Sequence, residues 1–223
     1  MVTIYVGPQR KTFTVHEELI CDKINSFRKA FKGTFEEATT KKIALPEDDA
    51  DYFCHVINWL YGEAFTCKKQ NCKGIVYQYD PGHILPFCAV YVLADKYGIE
   101  ELGQQCVNAC DTCLTALGVP LNEEEVTFIY KKFPNDCNLK TWAVRSIVEA
   151  FFSSCYYTFE MDPGSDFFSW RQFRHRLSIK HEEFEDDWKA AIRDHLNIPH
   201  FKDCDIHECR YHNREDFDFV FDD

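Results

Sequence analysis

Apolar and polar positions alternate from the first residues, Val2, Ile4 and Val6 against Thr3 and Tyr5, then Phe13 and Val15 against Thr12 and Thr14. A period of two marks half-buried strands, and Gly7-Pro8 between the two runs predicts a hairpin. At His16 the spacing becomes helical through Leu19 and Ile20, so the second strand leads straight into a helix. Phe27, Ala30, Phe31 and Phe35 follow at three- and four-residue intervals, with Gly33 as a helix stop. Ile43 and Leu45 then alternate with Lys42 and Ala44 as a short strand closed by Pro46. The acids Glu47, Asp48 and Asp49 precede a further helix, whose positive N-terminus favours them. That helix carries Phe53, Val56, Ile57, Leu60 and Tyr61 and ends at Gly62. Strands and helices must bury these stripes against one another, and the aromatic rings are expected to lock the shared nucleus.

Beyond Gly62 the pattern lapses over residues 63–83, where Cys67, Cys72 and Asp80-Pro81-Gly82 sit in a long loop. Residues 84–97 read as a helix ending at Gly98. Residues 100–117 read as another, with Leu102, Cys106, Ala109, Cys110, Cys113 and Leu117 along one side. Gly118-Val119-Pro120 breaks the pattern and is the expected boundary. Asn122 caps the next helix, with Glu123, Glu124 and Glu125 in its first turn and Val126, Ile129, Tyr130 and Phe133 behind. Pro134-Asn135-Asp136 ends it, and Leu139, Trp142, Ala143, Ile147 and Phe151 mark another. A stretch rich in rings follows (Phe152, Tyr156, Tyr157, Phe159, Phe167, Phe168, Trp170), then a last helix with Phe184, Trp188, Ala191, Ile192 and Leu196. Three parts are expected: 1–117, a helical extension at 118–197, and a Cys/His-containing acidic tail at 198–223.

The series Phe13, His16, Leu19, Phe27, Phe31, Phe35, Leu45, Phe53, Leu60 and Tyr61 is one long pattern, and Leu45-Pro46-Glu47-Asp48-Asp49 lies within it. Joined to Tyr91-Val92-Leu93-Ala94-Asp95-Lys96-Tyr97, it resembles the BTB/POZ domain in the form common in filamentous-fungal proteins. The sequence departs from that form between Cys21 and Phe27, where Asp22-Lys23-Ile24-Asn25-Ser26 replaces a Ser-Pro-aromatic run. The resemblance implies an α+β fold, a short-stranded sheet capped by a helical cluster, followed by a helical C-terminal extension. It also implies a non-catalytic interaction module that forms a homodimer and binds other proteins. An adaptor for a cullin-type ubiquitin ligase and a scaffold in transcriptional regulation are both open. In the family an N-terminal strand often joins the dimer contact, and here that segment is short.

Net charge, −12 over 223 residues, argues against phosphate backbones and anionic lipid as partners. Neither nucleic acid nor a membrane is expected; basic or apolar protein surfaces fit better. The N-terminus has no basic region followed by an apolar run, and no apolar stretch approaches the roughly 20 residues that span a bilayer. The twelve cysteines are therefore expected to be reduced thiols in cytoplasm or nucleus. No glycine-rich phosphate loop, nucleophile elbow or zinc-protease motif occurs, so an enzyme is not expected. His16, beside Glu17 and Glu18, is read as a capping or buried structural histidine.

Metal is the remaining chemistry. Cys204, His207, Cys209 and His212 follow a C-x-x-H-x-C-x-x-H spacing and offer four nitrogen and sulfur ligands for a structural zinc. Cys67 and Cys72 with His83 make a sparser set, and Cys106, Cys110 and Cys113 share a helical face that suits core packing better than metal. The rival to the interaction module is thus a zinc-binding or thiol-redox regulator built on the terminal cluster. Arg171, Arg174 and Arg176 are expected to face the acids between Glu182 and Asp187 as a mixed-charge surface.

Overall fold

The alternation at the N-terminus folds as a hairpin. In a computed structural model of the chain, which describes residues 1–67, 82–117, 120–133, 137–158 and 170–196, β1 (Val2–Val6) pairs antiparallel with β2 (Lys11–Val15). Val2 stands opposite Val15 and Val6 opposite Lys11, and Val2, Ile4 and Val6 are buried. Gly7 turns the chain at φ +74, and a Cβ there would also stand 3.2 Å from the Asp48 carbonyl oxygen. β3 (Lys42–Leu45) runs parallel along the other side of β1, with Ile4 opposite Ile43 and Val6 opposite Leu45. The sheet order is therefore β2-β1-β3. The N-terminal strand, which the resemblance offered to a dimer contact, is central and has both neighbours in its own chain.

Two compact units follow from the contacts within the chain, Met1–Gly118 and Val119–Asp223. In the first, α1 (Glu17–Lys23) and α2 (Asn25–Lys32) are separated by Ile24, whose backbone is extended (φ −126, ψ 107) and whose side chain is fully buried. That is the stretch that departs from the Ser-Pro-aromatic run, and an apolar anchor holds the bend there. Arg28 donates from Nε to the Cys21 carbonyl oxygen at 2.7 Å and from Nη2 to that of Asp22 at 3.0 Å, satisfying carbonyls at the end of α1. α3 (Glu36–Thr40) buries no residue, which is why no apolar periodicity announced it. α4 (Ala50–Leu60) starts at Asp49, whose side chain accepts from the Asp51 and Tyr52 amides. α5 (Leu85–Tyr97) ends on Gly98 in the left-handed conformation, and α6 (Glu100–Leu117) packs back against it.

The aromatic nucleus is real but smaller than expected. Phe27 lies 6.1 Å from Phe31, 6.5 Å from Phe53 and 5.1 Å from Tyr97, and Phe53 lies 5.4 Å from Phe13. Each buried ring contributes about 1.5–3 kcal/mol by area. Phe35 and Tyr61 stand outside it, 62% and 51% exposed. Phe35 follows the break at Gly33 and occupies the N-cap position of α3, so it no longer shares the stripe of α2. Tyr61 instead meets His16: its hydroxyl accepts from the His16 backbone amide at 3.3 Å and lies 2.8 Å from the ring Nδ1. Beneath the rings, buried Asp48 accepts hydrogen bonds from Lys96 and Tyr97.

Over its described residues the second unit is helical, with α7 (Glu123–Lys132), α8 (Asn138–Thr158), α9 (Trp170–Lys180) and α10 (Phe184–Leu196). Asn122 and Glu125 form a capping box, the Asn122 side chain accepting from two amides and the Glu125 carboxylate from the Asn122 amide. Phe151 of α8 lies 5.8 Å from Trp188 of α10, and Val126, Ile129, Ile147, Leu177 and Ile192 are buried in this unit. The rings expected between Phe152 and Trp170 lie outside the described side chains.

Candidate functional site

One surface of the first unit places an unburied ring beside carboxylates. Gly33 ends α2 because the chain passes so close to the preceding turn that a Cβ would lie 2.2 Å from the Lys29 carbonyl oxygen. The chain therefore leaves the helical path, and Phe35 emerges to solvent directly before Glu36 and Glu37 in the first turn of α3. Behind it Lys41 Nζ is held by the Glu17 carboxylate at 2.6 Å and the Phe31 carbonyl oxygen at 3.0 Å, fixing the base of α3. The Lys41 contact holds the Glu17 carboxyl below its usual range. The result is an exposed ring at the N-terminus of a short helix, directly beside two carboxylates. Of the residues sequence reasoning singled out, Phe13, Leu19 and Leu45 are half-buried, and Phe27, Phe31, Phe53 and Leu60 form core. His16 is exposed and makes no side-chain cap, so the capping or buried reading of it is corrected to that of a polar partner for Tyr61.

A second feature opens where the chain leaves α4. The Phe65 ring lies 4.9 Å from that of His55, tilted to it, and 5.3 Å edge-on from that of Phe87, and its amide donates to Gln105 Oε1 at 3.0 Å. His55, Phe65 and Phe87 border a cavity of about 330 Å³ that Glu63, Cys67 and His83 also line. Cys67 Sγ stands 3.4 Å from His83 Nε2, and Cys113 of α6 joins them, the three ligand atoms lying within 4.8 Å of one another. The sequence paired Cys67 with His83 and Cys72; Cys72 lies outside the described residues. Cys113 was read only as a member of a helical stripe, since nothing in local spacing shows that this stripe meets a loop 46 residues earlier.

Its stripe-mates behave as core. Cys106 and Cys110 are fully buried, and burial pushes the Cys106 thiol well up. A hydrogen bond with Cys88 and burial do the same to Cys110. Such thiols stay protonated and are poor nucleophiles or redox centres. Among the cysteines whose side chains are described, none is in a disulfide.

In the second unit Lys140, 2% exposed, donates to Glu183 Oε1 at 3.0 Å and lies 4.7 Å over the Tyr130 ring. Tyr130 donates to Asp187 Oδ2 at 2.7 Å, and burial followed by this bond pushes its pKa up. Buried His181 sits 5.1 Å from the same ring, with its Nε2 unpartnered among the described residues. A lysine within an apolar helical stripe is ordinarily exposed, so sequence reasoning gave this group no role. The arginines do face acids, Arg174 pairing with Glu185, but Arg176 reaches Glu123 on α7 at 2.7 Å. The Arg171 side chain and the terminal set Cys204, His207, Cys209 and His212 lie outside the described residues.

Among the described residues no helix is long and apolar enough to cross a membrane. Residues 2–80, about a third of the chain, match the family model of the BTB/POZ domain. No curated protein matches the chain.

Proposed function

We propose, from the premise that residues 2–80 form a BTB/POZ domain, a protein-interaction module, that the chain is a non-catalytic adaptor that self-associates as a homodimer and docks a second protein through its exposed surfaces. The domain match carries this reading. Its form is the filamentous-fungal one, supported by the run Leu45-Pro46-Glu47-Asp48-Asp49 and by Lys96-Tyr97, which meet at the Asp48 carboxylate. Phe35 with Glu36 and Glu37 is the docking feature, and a scaffold of the cullin type or a transcriptional complex in cytoplasm or nucleus is the partner class. Self-association proceeds without exchange of β1, because its buried Val2, Ile4 and Val6 and both its ladders would have to be given up first.

Sedimentation of the full chain across nanomolar to tens of micromolar concentration tests self-association. A dimer persisting below about 1 μM, equivalent to roughly −8 kcal/mol, is expected. A monomer throughout removes the homodimer. Phe35→Ala tests the docking feature against a purified cullin-type scaffold. A fully buried Phe is worth about 1.5–3 kcal/mol, and the 62% now exposed leaves roughly 1–2 kcal/mol to be gained on docking. Binding should weaken about 5- to 30-fold while the melting temperature holds. Unchanged binding, or none by the parent chain, removes this assignment.

A further inference from the structure

We infer that Cys67, His83 and Cys113 form a binding site for a zinc-class divalent cation, a function separate from docking. Three distant segments supply the ligands. Cys67 lies beyond the end of α4, His83 sits in the turn at Gly82 (φ +84) just before α5, and Cys113 is on α6. The dimensions are those of half-assembled tetrahedral coordination. With zinc–sulfur bonds of about 2.3 Å and zinc–nitrogen bonds of about 2.0–2.1 Å, tetrahedral angles set sulfur–nitrogen edges near 3.5 Å and sulfur–sulfur edges near 3.8 Å. The observed Cys67–His83 separation is 3.4 Å, and all three ligand atoms lie within 4.8 Å, so closure on an ion needs about 1 Å of movement. A thiol–imidazole hydrogen bond joins Cys67 and His83, and the fully buried Cys113 thiol brings a third ligand atom to the same point.

Ligand chemistry selects the ion. Two thiolates and one imidazole favour zinc over magnesium or calcium, which take oxygen. Binding releases the two thiol protons to solvent, leaving a cation that carries both negative sulfurs. Cys67 and His83 also line the cavity of about 330 Å³, which provides an entry path and room for a water in the fourth coordination position. The ion would tie Cys67 and His83 to Cys113 on α6.

Cobalt titration of the full chain tests the site. The chain is purified in reductant, stripped with chelator and studied in a Cys204→Ser/Cys209→Ser background, so that the terminal cluster does not contribute. One equivalent of Co²⁺ should bind with thiolate charge-transfer absorption and be displaced by Zn²⁺. Adding Cys67→Ser or Cys113→Ser should weaken binding at least tenfold and roughly halve the charge-transfer intensity. No cobalt uptake in the background chain overturns the assignment, and so does uptake that Cys67→Ser leaves unchanged. Cys67 is half-buried, so its variant decides the matter if Cys113→Ser fails to fold. Sedimentation of the same samples keeps this result distinct from self-association.

Discussion

Replacing Asp48 tests how the first unit is held together. The residue is 6% exposed, and its carboxylate accepts from Lys96 on one oxygen and from Tyr97 on the other. The two donors differ in what remains after Asp48→Ala. The Lys96 side chain is 44% exposed and can turn to water, so little is lost there. Tyr97 is 8% exposed, and its hydroxyl would be left as a buried donor without an acceptor, a penalty of about 1–3 kcal/mol. Adding a modest share for the lost ammonium contact gives roughly 2–4 kcal/mol, a large part of the 5–15 kcal/mol typical of a domain. Lys96→Ala should cost below about 1 kcal/mol and Tyr97→Phe about 1–2 kcal/mol, with a coupling of at least about 1 kcal/mol between Asp48→Asn and Tyr97→Phe. Urea unfolding at constant slope, followed by amide exchange in β1, reads these values for this unit. The reasoning fails if Asp48→Ala costs under about 0.5 kcal/mol, or if Lys96→Ala is as damaging as Tyr97→Phe.

Gly33→Ala should destabilise by about 1–3 kcal/mol, because its Cβ would meet a backbone oxygen at 2.2 Å and not a yielding side chain; an unchanged urea midpoint would contradict this. Acid should weaken the second unit. Burial lowers the His181 pKa from its ordinary 6.5, opposed by Glu183 and assisted by Lys131, Lys140 and Lys180, so the unfolded chain takes up the proton more readily and stability falls as pH drops below about 6.5. A second decline should follow below the ordinary carboxylate value of 4.5. Glu123 (held low by Lys180 and Arg176), Glu183 (by a backbone hydrogen bond and Lys140) and Glu185 (by Arg174) contribute stability above that value and lose it as pH falls through their lowered folded values. Thermal unfolding from pH 8 to 2 reads both steps, and His181→Phe should remove much of the first; an identical profile would contradict the assignment.

Much of the fold was legible because it rests on local period. The hairpin, the Gly33, Gly62 and Gly98 stops, the acids ahead of α4, the Asn122 cap and most helices follow from residues a few positions apart. The BTB/POZ match to residues 2–80 rests on that same stretch. α3 was not legible, since a five-residue helix with no buried face has no period to read. Nor were the buried polar partnerships. Asp48 with Tyr97, Lys140 with Glu183 and Cys67 with Cys113 each join positions more than 40 residues apart, and a single sequence carries no signal of which distant polar groups share a site.

Phe35 shows where function enters such a pattern. It stands four residues beyond Phe31, as a further member of the apolar series, but past the helix stop at Gly33. The backbone leaves the helix at Gly33, where only a residue without Cβ can pass the Lys29 carbonyl, and the Phe35 ring is turned out to solvent. A break that merely ended the helix could have been followed by a polar residue at no loss of packing. Keeping a large ring there, followed by two carboxylates on a helix braced by Lys41, exposes apolar area that gains free energy only when another surface covers it. Core positions obey the period, and the proposed docking position lies where the period is broken but the residue type is not.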